Sequence, residues 1–146
     1  MTQEQLKADF FYNRFTGVFR RRFTADDPLS KEKWRRIKSP VIWFHGTNRR
    51  VPDLIWFYIT GQWPQLPVVF RSGKSKSLRF GNLHMQRRTL DGETLSIVFN
   101  PDTKSWSATL TVGVTTTGIG PAPSLEDLKL NEFAPRLWEK ASVHEK

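Results

Sequence analysis

Cysteine is absent from the 146 residues, which removes disulfides, zinc–thiolate sites and cysteine nucleophiles at once and gives no hint of secretion. Long apolar runs are missing too. The longest, Leu54-Ile55-Trp56-Phe57-Tyr58-Ile59, falls far short of the roughly 20 residues a membrane helix needs. No charged-then-apolar leader follows Met1, so the sequence reads as that of a soluble, cytoplasmic protein with no membrane partner. Acid is scarce: 14 Asp and Glu face 23 Lys and Arg, for a formal net charge of +9 and a pI near 10.3. That imbalance points to a polyanionic partner, nucleic acid first. Internal repeats and low-complexity tracts are lacking as well. The length fits one compact domain or two very small ones and excludes a large multidomain enzyme. Aromatics are plentiful at 13%, with six Trp, and argue against disorder despite a mean hydropathy of -0.51.

The basic charge is unevenly spread. Residues 1–50 hold 12 basic and 5 acidic side chains, residues 51–100 hold 6 and 3, and residues 101–146 hold 5 and 6. The clusters are Arg20-Arg21-Arg22, the stretch from Lys31 to Lys38, Arg49-Arg50, then Arg71, Lys74, Lys76 and Arg79, and finally Arg87-Arg88. Any one such run serves as a solvated face. Five of them on a short chain favour a phosphate-facing surface.

Local signals outline the elements. Thr2 and Gln5 have the spacing of a helix capping box. Residues Phe10 to Phe23, turning at Thr16-Gly17, read as a β-hairpin that ends at Asp26-Asp27-Pro28. Val41 to Phe44 reads as a strand, with turn residues in His45-Gly46-Thr47-Asn48. Pro52 suits a helix's first turn and Gly61 its C-cap, so a buried helix is expected over Asp53 to Thr60. Pro67 to Phe70 reads as a strand entering a basic Ser/Gly/Lys loop, and Phe80 to Arg88 as a short helix. Thr94–Phe99, Ser105–Val112 and Val114–Ile119 read as a three-stranded meander. Ser124 with Asp127 makes a second capping signature, and Pro135 breaks whatever helix follows. Trp43, Trp56, Trp63 and Trp106 are expected in the core, while Trp34, between Lys33 and Arg35, is a candidate for stacking on bases.

The string Leu54-Ile55-Trp56-Phe57-Tyr58-Ile59-Thr60-Gly61-Gln62-Trp63-Pro64 resembles the L-A-W-x-Y-x-T-G-E-W-P segment of phage-encoded HNH endonucleases of the homing type. Upstream, Tyr12 to Phe19 is similar to the Y-D-P-x-T-G-x-F hairpin that opens that family. Downstream, Lys104 to Val112 resembles the K-W-R-A-R-I-x-V strand of the three-stranded DNA-reading domain of plant ethylene-response factors, which these endonucleases often carry, and Asn131-Glu132-Phe133-Ala134 is like its terminal H-G-E-F-A. The resemblance implies an α+β fold. Its parts are a small ββα-metal (HNH-like) core with an N-terminal β-hairpin over residues 1–92, and a three-stranded antiparallel sheet with a short helix over 93–146.

The departures from that pattern bear on activity. Where the family has an Asp-His pair, metal ligand and general base, this chain has Val69-Phe70. Valine offers no oxygen to a hard cation, and phenylalanine has no proton acceptor for an attacking water. Asn82 matches a family Asn that holds the base, but an Asn there also serves as a hydrogen-bonding turn residue. Asp91 falls near the second metal ligand, and Asp91-Gly92 is equally a turn dipeptide. His45 and His84 are lone histidines, and His144 lies near the end. Ser107, Thr109 and Thr111 stand where the family's sheet has base-reading arginines. The expectation is therefore a nuclease-derived, non-cleaving DNA-binding protein of a phage type, acting in the bacterial cytoplasm. It would grip phosphates through Arg71, Lys74, Lys76, Arg79, Arg87, Arg88, Arg49 and Arg50, with no cofactor. The alternatives are a recruited assembly factor that binds a phage or host protein, and a divalent-metal endonuclease with a relocated site.

Overall fold

A computed structural model of the chain describes residues 2–22, 34–72 and 75–138, with the side chains of Trp34 and Arg35 also left out. The expectations at 26–28, 31–33, Trp34 as a stacking side chain, Lys74 and His144 lie outside the described residues. The fold is mixed α+β, with small helices and antiparallel sheets. The chain forms two compact units, one of residues 1–63 and 70–83, the other of 64–69 and 84–146.

In the first unit, helix α1 (Gln3–Asp9) opens on the expected capping box: Gln5 N–H donates to Thr2 Oγ1 at 3.1 Å, and Thr2 N–H donates to Gln5 Oε1 at 2.8 Å. Strands β1 (Phe10–Tyr12), β2 (Phe19–Arg22) and β3 (Trp34–Arg36) form a three-stranded antiparallel sheet. The β1–β2 turn is built by Asn13, whose Oδ1 accepts from Phe15 N–H (2.9 Å) and Thr16 N–H (3.1 Å). Strands β4 (Val41–Phe44) and β5 (Thr47–Arg50) make a two-stranded ribbon leading into α2 (Val51–Thr60). Pro52 sits in the first turn of α2, and Gly61 ends it in the left-handed region at φ 78°, as its placement in the sequence foretells.

Apolar residues of α2 line the core of this unit with Leu6, Phe10, Phe19 and Phe80. Trp56 is fully buried and stacks on Phe80 at 5.4 Å, and Phe57 stacks on Trp63 at 4.3 Å. The expectation for Trp43 is corrected: it is 61% exposed. The ribbon alternates, so Phe44 turns inward and is buried while Val41 and Trp43 share the open face.

The second unit is built on a sheet of order β10-β9-β8-β7-β6, from β6 (Val68–Phe70), β7 (Leu83–Arg88), β8 (Glu93–Asn100), β9 (Ser105–Val112) and β10 (Thr115–Ala122). Its three C-terminal strands match the expected meander, and Trp106 is buried as expected. Residues 80–88 correct the reading as a helix: Phe80–Asn82 is a single 3₁₀ turn and Leu83–Arg88 is β7. Leu83 and Met85 are buried while His84 and Gln86 are half-exposed. That two-residue period matches β8, which pairs with it from Met85↔Ile97 to Arg88↔Thr94. After β10, Asp127 N–H donates to Ser124 Oγ (3.2 Å), a second 3₁₀ turn spans Glu126–Leu128, and α3 (Leu130–Phe133) stops before Pro135.

Candidate nucleic-acid interface

The basic loop that follows Phe70 is fastened from two sides. Within it Arg71, Lys76 and Arg79 are exposed. From one side Asn82 acts as a clip: its Oδ1 accepts from Ser72 N–H at 3.0 Å, and its Nδ2 donates to the carbonyls of Ser77 (2.9 Å) and Ser75 (3.2 Å). The backbone repeats the closure, with Arg71 N–H donating to Asn82 O at 2.7 Å. From the other side comes the β1–β2 hairpin. The Tyr12 hydroxyl donates to Leu78 O, and Phe80 N–H donates to Arg14 O at 3.2 Å. Burial pushes the Tyr12 phenol above its ordinary value, so it remains a donor. Gly17, at φ 79°, lies so close that a Cβ there would stand 2.7 Å from Arg79 N and 2.9 Å from Leu78 C. These contacts explain two sequence features: the Tyr of the hairpin motif orients a distant carbonyl, and its Gly lets two backbones touch. The same turn carries Arg14, whose guanidinium lies 4.5 Å from the ring of Phe15, itself 70% exposed.

The other expected contacts have different surroundings. Arg49 lies over the Trp63 ring at 4.8 Å, and Arg50 pairs with Asp53 at 3.6 Å. Burial raises the Asp53 carboxyl although Arg50 and Arg49 pull it down. Arg87 donates from Nη1 to Leu137 O at 3.3 Å, while Arg88 is exposed at the end of β7. Arg49, Arg50 and Arg87 thus have internal partners.

At the positions aligned with the HNH pattern, Val69 and Phe70 lie half-buried on β6 and Asn82 is the clip of the loop. Asp91 is on the exposed turn between β7 and β8, where Arg136 reaches it at 3.7 Å and Glu93 at 3.5 Å. His45 occupies the β4–β5 turn at φ 51°, against the Phe44 ring, and His84 lies on β7. Among the described residues no three His, Asp or Glu side chains group as a metal site. Ser107, Thr109 and Thr111 alternate along β9, with Thr111 Oγ1 3.1 Å from Thr116 Oγ1.

The register of β1–β3 shows an arrangement the sequence conceals. Phe11, Arg20 and Arg36 stand directly opposite one another across the three strands. The runs Arg20-Arg21-Arg22 and Arg35-Arg36 signal charge, but only pairing reveals that two of those charges are neighbours. Among the described residues no helix is long and apolar enough to cross a membrane. Compared with known proteins, the chain matches no family model, no curated protein and no solved structure.

Proposed function

We propose that this chain binds DNA through its backbone phosphates with low sequence specificity, and that it descends from a homing-type HNH endonuclease whose cutting chemistry is lost. The observation that carries the reading is the described part of the loop, residues 71–72 and 75–79, where Arg71, Lys76 and Arg79 are exposed on a backbone held by Asn82, Tyr12 and the touching Gly17. A backbone already ordered spares the cost of ordering it when its cations meet a phosphate, and phosphate contacts carry no base information. The ancestry rests on the motif resemblance, with Val69 and Phe70 in place of the acid and imidazole that hydrolysis needs. The ββα-metal core belongs to this proposal as ancestry alone, since residues 83–88, expected as its helix, form strand β7.

The test is an electrophoretic shift on random duplex DNA over a range of salt. Replacing Arg71, Lys76 and Arg79 together by Ala is expected to flatten the log–log salt slope by about 2.7, at 0.9 per phosphate contact. An unchanged slope would take the loop out of the contact surface. A second reading, a factor that binds a phage or host protein, is favoured by the open face of the β4–β5 ribbon, where Trp43 and Val41 are exposed side by side. No retardation even at low salt would favour that one. A metal-dependent endonuclease would nick supercoiled plasmid with magnesium or manganese, and the nicking would vanish on substitution of His84 or Asp91.

A further inference from the structure

We propose that the outward face of β1–β3 is a platform for single-stranded nucleic acid, on which Phe11 stacks a base while Arg20, Arg22 and Arg36 hold the neighbouring phosphates. The inference rests on the nucleic-acid reading above and names a second surface with a different substrate.

Strand alternation sets the two faces. Phe10, Tyr12 and Phe19 are buried on the inner face, which commits Phe11, Arg20 and Arg22 to the outer one. Phe11 stands there 47% exposed, and Arg20, Arg22 and Arg36 are exposed around it. The inner-face arginine behaves differently. Arg21 lies over the rings of Phe10 (5.6 Å) and Phe44 (5.5 Å) and donates from Nη1 to Trp43 O at 3.1 Å. It has a structural task, whereas the ion pairs formed among the described residues, Arg50–Asp53, Arg136–Asp91 and Arg136–Glu93, include none of the outer three.

Arg20 and Arg36 are direct cross-strand partners, so their Cβ atoms stand about 5 Å apart, and like charges so placed destabilise a sheet. A polyanion removes that repulsion by placing a phosphate between the two guanidiniums. Phe11, on the other side of Arg20 in the same row, decides which polyanion. A ring beside a phosphate clamp stacks a base only where the base's face is free, and in a duplex both faces are covered by neighbouring pairs. An exposed aromatic ring set among exposed arginines on one face of an antiparallel sheet is therefore matched to an unpaired strand.

The experiment measures binding of a labelled oligothymidine of about 12 nucleotides, within the 4–16 range of such sites, and of a random-sequence duplex of equal length. Phe11→Leu is expected to weaken oligothymidine binding by about tenfold, the low end of one base stack, and to leave duplex binding unchanged, while Phe11→Tyr retains wild-type affinity. Arg20→Gln with Arg36→Gln is expected to flatten the oligothymidine salt slope by about 1.4, at 0.7 per contact, and to raise the melting temperature because the facing charges are gone. Wild-type oligothymidine binding in Phe11→Leu and in the double arginine variant, with the duplex salt slope still flattened on replacing Arg71, Lys76 and Arg79, would overturn the platform and leave the loop reading intact. Equal weakening of both nucleic acids by Phe11→Leu would overturn it too. Failure of the wild-type chain to bind either nucleic acid at low salt would overturn both readings.

Discussion

Removing the Asn82 side chain separates how the basic loop is shaped from how it is charged. Asn82→Ala deletes three hydrogen bonds, to Ser72 N–H and to the carbonyls of Ser75 and Ser77, and touches no cation. Such a bond contributes about 0.5–1.5 kcal/mol net, and with water able to replace partners in a half-exposed loop the lower end applies, so the sum is about 1–2 kcal/mol. For a chain of this size that corresponds to a fall of about 3–8 °C in melting temperature. A loop that must be ordered on binding also forfeits part of its affinity, and about 1 kcal/mol of ordering cost weakens duplex binding about fivefold. The salt slope must stay where it was, because the number of phosphate contacts is unchanged. Asn82→Asp keeps the acceptor for Ser72 N–H but turns an oxygen toward the Ser75 and Ser77 carbonyls, so it is expected to melt at least as low as the Ala variant. Thermal melting followed by circular dichroism, and fluorescence anisotropy at several salt concentrations, make the comparison. An Asn82→Ala chain that melts with the wild type and binds duplex equally well would refute the clip.

Two further outcomes follow from the same unit. Gly17→Ala is expected to be much more destabilising than Gly46→Ala: both glycines have positive φ, which costs an L-residue about 1–2 kcal/mol, but only at Gly17 does the new Cβ strike backbone, that of Arg79 and Leu78. Equal melting temperatures for the two variants would show that the hairpin does not press on the loop. Asp53 gives a pH signature. Burial holds its carboxyl above the ordinary 3.8, so the folded chain binds this proton more tightly than the unfolded one. The stabilisation from that proton is fully present below the ordinary value and is lost as the pH rises through the raised one. Melting curves of the wild type and Asp53→Asn between about pH 4 and neutrality should therefore diverge, the wild type losing ground as pH rises; parallel curves would show that the arginines cancel burial at this carboxyl, and a wild type that gains ground would show that they outweigh it.

What could be read from the sequence was local. The Thr2–Gln5 capping box, the Pro52 and Gly61 ends of α2 and the alternation along β8 and β9 depend on near neighbours, and each stands where its chemistry puts it. What escaped depended on distant partners. Residues 83–88, Leu-His-Met-Gln-Arg-Arg, are mostly good helix formers, and their two-residue period prevails because β8 offers them a ladder and a buried face. Trp43 reads as a core aromatic from its place on a strand, but an alternating ribbon buries only one face and Phe44 takes it. The role of Asn82 was legible as a turn residue; that it closes a loop reaching back to Ser72 was not, since the bond spans ten residues. The pairing of Arg20 with Arg36 was hidden for the same reason, the two being separated by the whole connection between β2 and β3.

The sorting of arginines by partner bears on how a salt titration must be interpreted. Counterion release depends on the charges a surface presents to phosphate, and a net charge of +9 overstates them. Arg21, Arg49, Arg50, Arg87 and Arg136 are tied to rings, carbonyls or carboxylates of the chain itself. Arg71, Lys76 and Arg79 on the loop, and Arg20, Arg22 and Arg36 on the sheet, are exposed and have no part in the ion pairs formed among the described residues. Engagement of the loop's described cations by duplex DNA contributes about -2.7 to its slope; with the three on the sheet as well, six contacts contribute about -5.4. Duplex titrations of the wild-type chain and of the Arg20→Gln, Arg36→Gln variant together therefore decide between one surface and two. A slope near the larger value that survived Arg20→Gln with Arg36→Gln would place the extra contacts elsewhere on the chain.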